Sequence, residues 1–448
     1  MKVKEENIFE ATKEQINNIF DDFKIYAKVK DYTVGPQVTR YNITYGPTLS
    51  VKSIMNVLGD IEIRLGIESI RFERVVKGQS ASGIEIPNRV RKEVLFKDVL
   101  EEFSKNTANP FDVPLGKNVD NQVVSISIPS MPHLLMTGNS GSGKTTLLNS
   151  IITTLIMRNS PDDLRLLLID PKRIELSKFK EVPHLLCPII NNVTDAKAAL
   201  MQLCKEMEGR YELLVDTKCS NIDEYNNEAK DKLPRIIAII DEYGDIVDAC
   251  KEVSEPLITL VQKARAAGIY LIVSTSNCGT NVITGVLKAN MPTHIALLVN
   301  NYVDSMTILG ESGAEKLLGA GDMLVQSYQL SRVGLVRVQA PLIVREEILD
   351  IVKELKNKYS AKYDSNFVCV KHQETEKPEA PSFEQSEEER YQEVKKWALE
   401  QEYVSISLIQ RNCSVGFNRA GRYMARLQLE GIVSTKSSGF NGCLVIKK

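Results

Sequence analysis

Eight consecutive residues, Gly138-Asn139-Ser140-Gly141-Ser142-Gly143-Lys144-Thr145, combine glycines, a lysine and hydroxyls at a spacing that suits phosphate chemistry. Backbone amides of such a loop can turn toward phosphate oxygens, and Lys144 can reach the β- and γ-phosphates. The Thr145 hydroxyl suits Mg²⁺, and Thr146 continues into the helix that follows. Further along, Asp241 and Glu242 end the apolar run Ile236 to Ile240. Asp241 fits a second Mg²⁺-holding position, and Glu242 fits the base that orients an attacking water. Helix capping by the two carboxylates is the plainer alternative. Asp170, Lys172 and Glu175 end another apolar run and suit the nucleotide site, a subunit contact or a solvated loop.

A third strand end raises a question. The run Ile269 to Val273 breaks into small polar residues from Ser274 to Gly279. An apolar strand with a polar tip usually delivers that tip to a site, which makes Ser276 and Asn277 candidates.

These tips need a scaffold, and the surrounding pattern supplies one. From about residue 94 to 357, apolar runs alternate with helical spacing: HLLMTGN, LRLLLID, RIIAIIDE, IYLIVST and HIALLV. Few charges interrupt them, as expected for parallel strands buried on both faces in a doubly wound α/β sheet. Before this, short β-rich runs surround SVKSIMNVLGDIEIRLG, an α+β pattern. After it, residues 371–389 are rich in Glu and Pro and read as a flexible linker. Residues 390–448 then read as helix, short helix, helix and two short strands, the order of a winged helix-turn-helix. The expected division is 1–92, 93–370, 371–389 and 390–448.

The chain has 448 residues, 43% apolar and 25% charged, which excludes neither of these domains and fits a globular protein. A net charge of −2 gives no bulk attraction to nucleic acid or membrane, so any DNA surface must be local. The C-terminal segment supplies one: from Arg390 onward ten Lys/Arg face four Asp/Glu, a balance of +6. Asn418 and Arg419 stand near the start of its third helix, where base edges are read. Arg411, Arg422 and Lys436 suit phosphate, and Arg419, Arg422 and Arg426 share one helical face. A protein-binding winged helix with a solvated basic face is the alternative. The eight cysteines include no CxxC pair, which points to reduced thiols rather than zinc or disulfides. No window is apolar enough to span a bilayer, so a cytoplasmic chain is expected, with any membrane association through an anchor outside it or a partner.

Taken together, these segments resemble the FtsK/SpoIIIE family of double-stranded DNA translocases. VGPQVTRYNI and ESIRFERVVKGQSASGIEIPN look like its α domain. GNSGSGKT, IDPKRIELSKFKEVPHLL, IIDEYGDI, QKARAAGIYLI, VITGVLKANMPT and GAEKLLGAGDML look like its β motor domain, and VGFNRAGRYMARLQLEGIV looks like its γ domain. The resemblance implies a RecA-like P-loop ATPase core, ATP and Mg²⁺, a homo-hexameric ring around duplex DNA and a role in chromosome segregation or DNA transfer. A membrane-anchored or division-site partner would fit the same family. Several positions depart from its usual pattern. The strand tip commonly reads alanine-threonine-glutamine-arginine-proline, where this chain has Ser274, Thr275, Ser276, Asn277 and Cys278. The glutamine, thought to sense the γ-phosphate, is replaced by Ser276. An arginine proposed as a trans-acting finger is replaced by His294, and another near a DNA-touching loop by Met306. Gly421 stands where alanine is common. Arg265, Arg332 and Arg337 remain as nearby cations. A guanidinium on a transferring phosphoryl group can be worth about 10³-fold in rate. Two readings therefore stay open: a working motor with compensation, or an ATP- and DNA-binding scaffold of impaired hydrolysis.

Overall fold

The computed structural model describes residues 2–331, 334–367, 387–413, 415–437 and 442–446, without the side chains of 2–6, 387–390, 417, 418 and 435–437. The chain divides into two compact units, 1–369 and 370–448.

The first unit opens with the helix Lys2–Asp22, which the sequence reading does not anticipate. Its Ile16, Ile19 and Phe20 are buried, so tertiary packing stabilises a segment whose charge alone suggests a loose terminus. The helix packs against β1 (Ala27–Val34), β2 (Val38–Tyr45), β3 (Arg71–Glu73) and β4 (Ser82–Pro87), an antiparallel sheet of order β1-β2-β4-β3. This is the expected α+β region.

Nine further strands form one mixed sheet: β5 (Asp112–Asn118), β6 (Val123–Ser127), β7 (His133–Thr137), β8 (Leu164–Ile169), β9 (Arg235–Ile240), β10 (Ile269–Thr275), β11 (Thr293–Leu297), β12 (Asp322–Gln326) and β13 (Val336–Gln339). Their order is β6-β5-β13-β12-β11-β7-β10-β9-β8. The five from β11 to β8 pair in parallel, and the other four extend the sheet antiparallel. The antiparallel extension is not legible as such in the alternating pattern. In β9, Ile236, Ala238 and Ile240 enter one core layer while Ile237 and Ile239 enter the other. The period of two explains why these strands are apolar throughout: both faces are covered. The helix Lys144–Arg158 packs in one layer, and Val193–Thr217 with Ser254–Lys263 in the other.

The α+β sheet and the large sheet belong to the same compact unit, joined by charge as well as backbone. Glu85 of β4 binds Arg71 of β3 at 3.0 Å and Arg337 of β13 at 2.8 Å, and Arg337 also grips Asp322 of β12. All four side chains are buried.

The second unit comprises helices Glu387–Leu399, Ile406–Cys413 and Phe417–Leu429, with β14 (Tyr403–Val404), β15 (Val433–Ser437) and β16 (Cys443–Val445) in the order β14-β16-β15. It is the winged-helix arrangement, with the two-residue β14 added. Val415, Tyr423, Met424 and Leu427 pack inward as the apolar spacing requires. Leu429 does not: it is 89% exposed at the helix end. The expected linker falls on residues outside the description up to 386, and residues 387–389 already belong to a helix.

Candidate functional site

The phosphate loop follows β7, the second strand of the parallel set, flanked by β11 and β10. Gly138, Gly141 and Gly143 take φ values of 158°, 77° and 107°, which open the loop before the helix begins at Lys144. At Gly143 a Cβ would lie 2.4 Å from the Gly321 amide nitrogen, so only glycine fits both the dihedral and the space. The loop is pinned from outside: the Asn139 N–H donates to the Leu298 carbonyl at 2.8 Å, and the Gly321 N–H to the Ser142 carbonyl at 2.7 Å. Lys144 is buried and donates to the Gly138 and Asn139 carbonyls. Burial holds its ammonium below the ordinary range, while Glu242 and Asp241 oppose that. A cation kept dry beside acceptors is poised for an anionic ligand. Ser142 Oγ is buried without a partner, and the half-buried Thr145 and Thr146 open the same helix. Ser140 is exposed on the loop.

Asp241 and Glu242 stand at the end of β9, with β10 lying between β9 and β7. Val273 is opposite Ile240, so Ser274 comes level with Asp241. Ser274 Oγ donates to Asp241 Oδ1 at 2.9 Å. Burial pushes the Asp241 carboxyl up to about 6, with Glu242 and Asp170 adding to it and Ser274 opposing. A divalent cation would reverse that penalty, so the residues present fit one: a buried oxygen donor among like charges, beside the Thr145 helix start. Glu242 has φ 49° and ψ 50°. Its Oε2 accepts the Ser276 hydroxyl at 2.6 Å and the Ser276 N–H at 3.1 Å, and its Oε1 lies 3.2 Å from Lys172 Nζ. Burial disfavours its charge, but Ser276, Lys144 and Lys172 outweigh that and hold it below the usual carboxylate range.

Other candidates take different places. Asp170 is fully buried and accepts the Arg173 and Leu176 amides, so it shapes its own loop, while Lys172 bridges Glu242 and Asp245. Asn277 accepts the Gly279 N–H at 2.8 Å and folds the strand tip rather than facing the acidic pair. His294 is 7% exposed and bonds Gln326 through Nδ1 and the Lys288 carbonyl through Nε2. Burial keeps its ring neutral, and these internal bonds make it a sheet component rather than a projecting finger. Arg337 is corrected likewise: enclosed by Asp322 and Glu85, it is an internal strut and not a cation at a subunit surface. Arg265 is exposed but precedes β10, at the end of that strand opposite the phosphate loop. Arg332 lies outside the described residues. In the second unit Arg411 and Arg422 are exposed and Arg419 is partly so, while Asn418 and Lys436 are placed by backbone alone. Arg426, on the same arginine face, sits 3.9 Å over the Tyr391 ring and pairs with Glu430, which turns it inward. Sequence reasoning missed Ser274; the signal was its two-residue spacing from Ser276, which puts both on one strand face.

Three family models match the chain: the FtsK alpha domain over residues 1–88, the FtsK/SpoIIIE family over 95–280 and the FtsK gamma domain over 385–439. A protein named DNA translocase FtsK from Streptococcus agalactiae is 38% identical over 442 residues, 96% of this chain and 54% of that protein. The chain belongs to the FtsK/SpoIIIE family. A DNA translocase FtsK from Lactiplantibacillus plantarum is 34% identical, covering 95% of this chain and 54% of the relative. The chain thus spans about half the length of the curated relatives it matches. Among solved structures, the pCW3 conjugation coupling protein TcpA with ATPγS superposes with a TM-score of 0.55 at 20% identity, covering 78% of this chain and 100% of that one. The cytoplasmic domain of the type VII secretion ATPase EccC from Thermomonospora curvata gives 0.51 at 20% identity, covering 61% of this chain and 35% of that one. At that identity they show the fold alone, that of P-loop ATPases. The FtsK/SpoIIIE match spans β5 to β10 of the nine-stranded sheet, and the gamma-domain match falls on the C-terminal winged-helix unit. Among the described residues no helix is long and apolar enough to cross a membrane.

Proposed function

We propose that this chain is the motor portion of an ATP-driven double-stranded DNA translocase. The observation that carries the reading is the meeting of the phosphate loop and the acidic pair at the ends of β7 and β9, on either side of β10, with Lys144, Asp241 and Glu242 electrostatically coupled. Residues 138–146 would cradle the triphosphate of ATP: the loop amides and Lys144 bind its oxygens and offset their charge. Thr145 and Asp241 would hold Mg²⁺, which when bound neutralises charge developing on the phosphates. Glu242 orients the attacking water and accepts its proton once its own contacts open. The buried loop excludes bulk water from Lys144, which strengthens its pull on phosphate.

In the second unit, Arg411, Arg419 and Arg422 with Asn418 and Lys436 would meet duplex DNA. A homo-hexameric ring around the duplex, acting in chromosome segregation or DNA transfer with a membrane-anchored or division-site partner, is the assembly that the family suggests. A cytoplasmic setting accords with these partners.

Purified chain should hydrolyse ATP, with turnover rising strongly on addition of duplex DNA at low salt and lost in Lys144→Ala. Absence of DNA stimulation sinks the translocase reading. A second reading, an ATP-assembled DNA-binding scaffold with little turnover, is favoured by the contacts that hold Glu242 to Ser276 and Lys172. It would show nucleotide-dependent assembly and DNA binding with no stimulated hydrolysis.

A further inference from the structure

Ser274 closes β10 from within, and Ser276 follows its last residue, so the two hydroxyls are separated by one strand repeat and share a face. Each meets one member of the acidic pair. Ser274 Oγ donates to Asp241 Oδ1 at 2.9 Å, and Ser276 Oγ donates to Glu242 Oε2 at 2.6 Å. The Ser276 N–H reaches that same oxygen at 3.1 Å. A carboxylate oxygen offers two in-plane lone-pair directions, and here both on Oε2 are taken by protein donors. Lys172 Nζ occupies Oε1 from the other side at 3.2 Å and is itself tethered to Asp245 Oδ2 at 3.2 Å. Little of this carboxylate remains to receive a proton from water.

The backbone beneath it is under tension as well. Glu242 has φ 49°, a left-handed conformation that a glutamate keeps only when its surroundings fix it. The side-chain contacts to Ser276 and Lys172 supply that fixing. A strained residue held by a few directional bonds has two arrangements open to it: held, and released with its carboxylate free.

We propose that Ser276, aided by Lys172, is a latch on Glu242, a positioning residue that parks the carboxylate so that hydrolysis proceeds only after the Ser276–Glu242 bonds open. Ser274 keeps Asp241 in place in both arrangements. The inference rests on the reading of Asp241 and Glu242 as the acidic pair of an ATPase. It makes the altered strand tip a brake on turnover rather than a broken sensor.

The test uses the full chain with Mg²⁺ and ATP, with and without duplex DNA. Ser276→Ala removes the hydroxyl and keeps the backbone donor. It should raise kcat by about tenfold, the scale of one hydrogen bond to a charged group, with KM for ATP unchanged. Ser276→Thr retains the hydroxyl and should keep the parent kcat. The gain should vanish when Glu242→Gln is added to Ser276→Ala, because the latch acts through that carboxylate. An unchanged or lower kcat in Ser276→Ala overturns the latch, as does a threonine variant that behaves like alanine, or a gain that survives Glu242→Gln. Absence of turnover in both the parent and Ser276→Ala also overturns it. Stimulation by DNA is scored separately: turnover that responds to Ser276→Ala but not to DNA keeps the latch and rejects the translocase.

Discussion

Glu73 lies at the seam between the small and large sheets, with its Oε2 buried and without a hydrogen-bond partner. Burial and the neighbouring Glu85 push its carboxyl up to about 7, against the pull of Arg71 and Arg40. A carboxyl that holds its proton more tightly when folded favours the folded state at low pH. That advantage fades as pH rises from the ordinary 4.5 toward 7. Glu85 has the opposite sign, because Arg71 and Arg337 overcome its burial and keep it below the usual range. Its contribution is present at neutral pH and is lost on acidification. Glu73→Gln should therefore raise the heat-denaturation midpoint relative to the parent more at pH 8 than at pH 5. An equal difference at both pH values would contradict the assignment. None of this is visible in the sequence, where Glu73 is one of 58 acidic residues. By contrast Lys144, Asp241 and Glu242 were legible, the lysine from the glycine loop before its helix and the two acids from the apolar strand they follow.

At the scale of elements, the phosphate loop shows how a short motif and a distant one depend on each other. Gly143 has φ 107°, and its Cα faces the Gly321 backbone, 178 positions later in the numbering. Gly143→Ala imposes strain of about 1–3 kcal/mol, so titration with a fluorescent ATP analogue should show binding weakened by about tenfold or more. Far-ultraviolet circular dichroism should stay unchanged, because the helix from Lys144 is packed by Leu147, Leu148 and Ile151. Undiminished binding would mean that the loop can relax away from Gly321. The strands β7 to β11 were readable from their apolar runs, and the winged helix from its helical spacing. The N-terminal helix was not, because its buried face of Ile16, Ile19 and Phe20 is sparse among charges. The internal place of Arg337 was not legible for a related reason: sequence order gives proximity along a chain, not the direction in which a side chain leaves the sheet.

For the whole molecule, the decisive feature is the buried group of Arg71, Glu85, Arg337 and Asp322 that ties the small sheet to the large one. Arg337→Met leaves Glu85 and Asp322 buried with fewer positive partners. Breaking such a group costs about 3–5 kcal/mol, so chemical denaturation should show a loss of that size. A loss below about 1 kcal/mol would place the group nearer to solvent than the structure has it. The sequence by itself determined the class of site, the family and the series of strands, because phosphate loops, apolar runs and basic helices are local patterns. Only the tertiary structure decided what each polar residue does. Strand order set β10 between β7 and β9, and so aimed Ser274 and Ser276 at the two carboxylates. The same packing gave His294 and Arg337 internal partners, Gln326 and the Lys288 carbonyl for the one and Asp322 and Glu85 for the other.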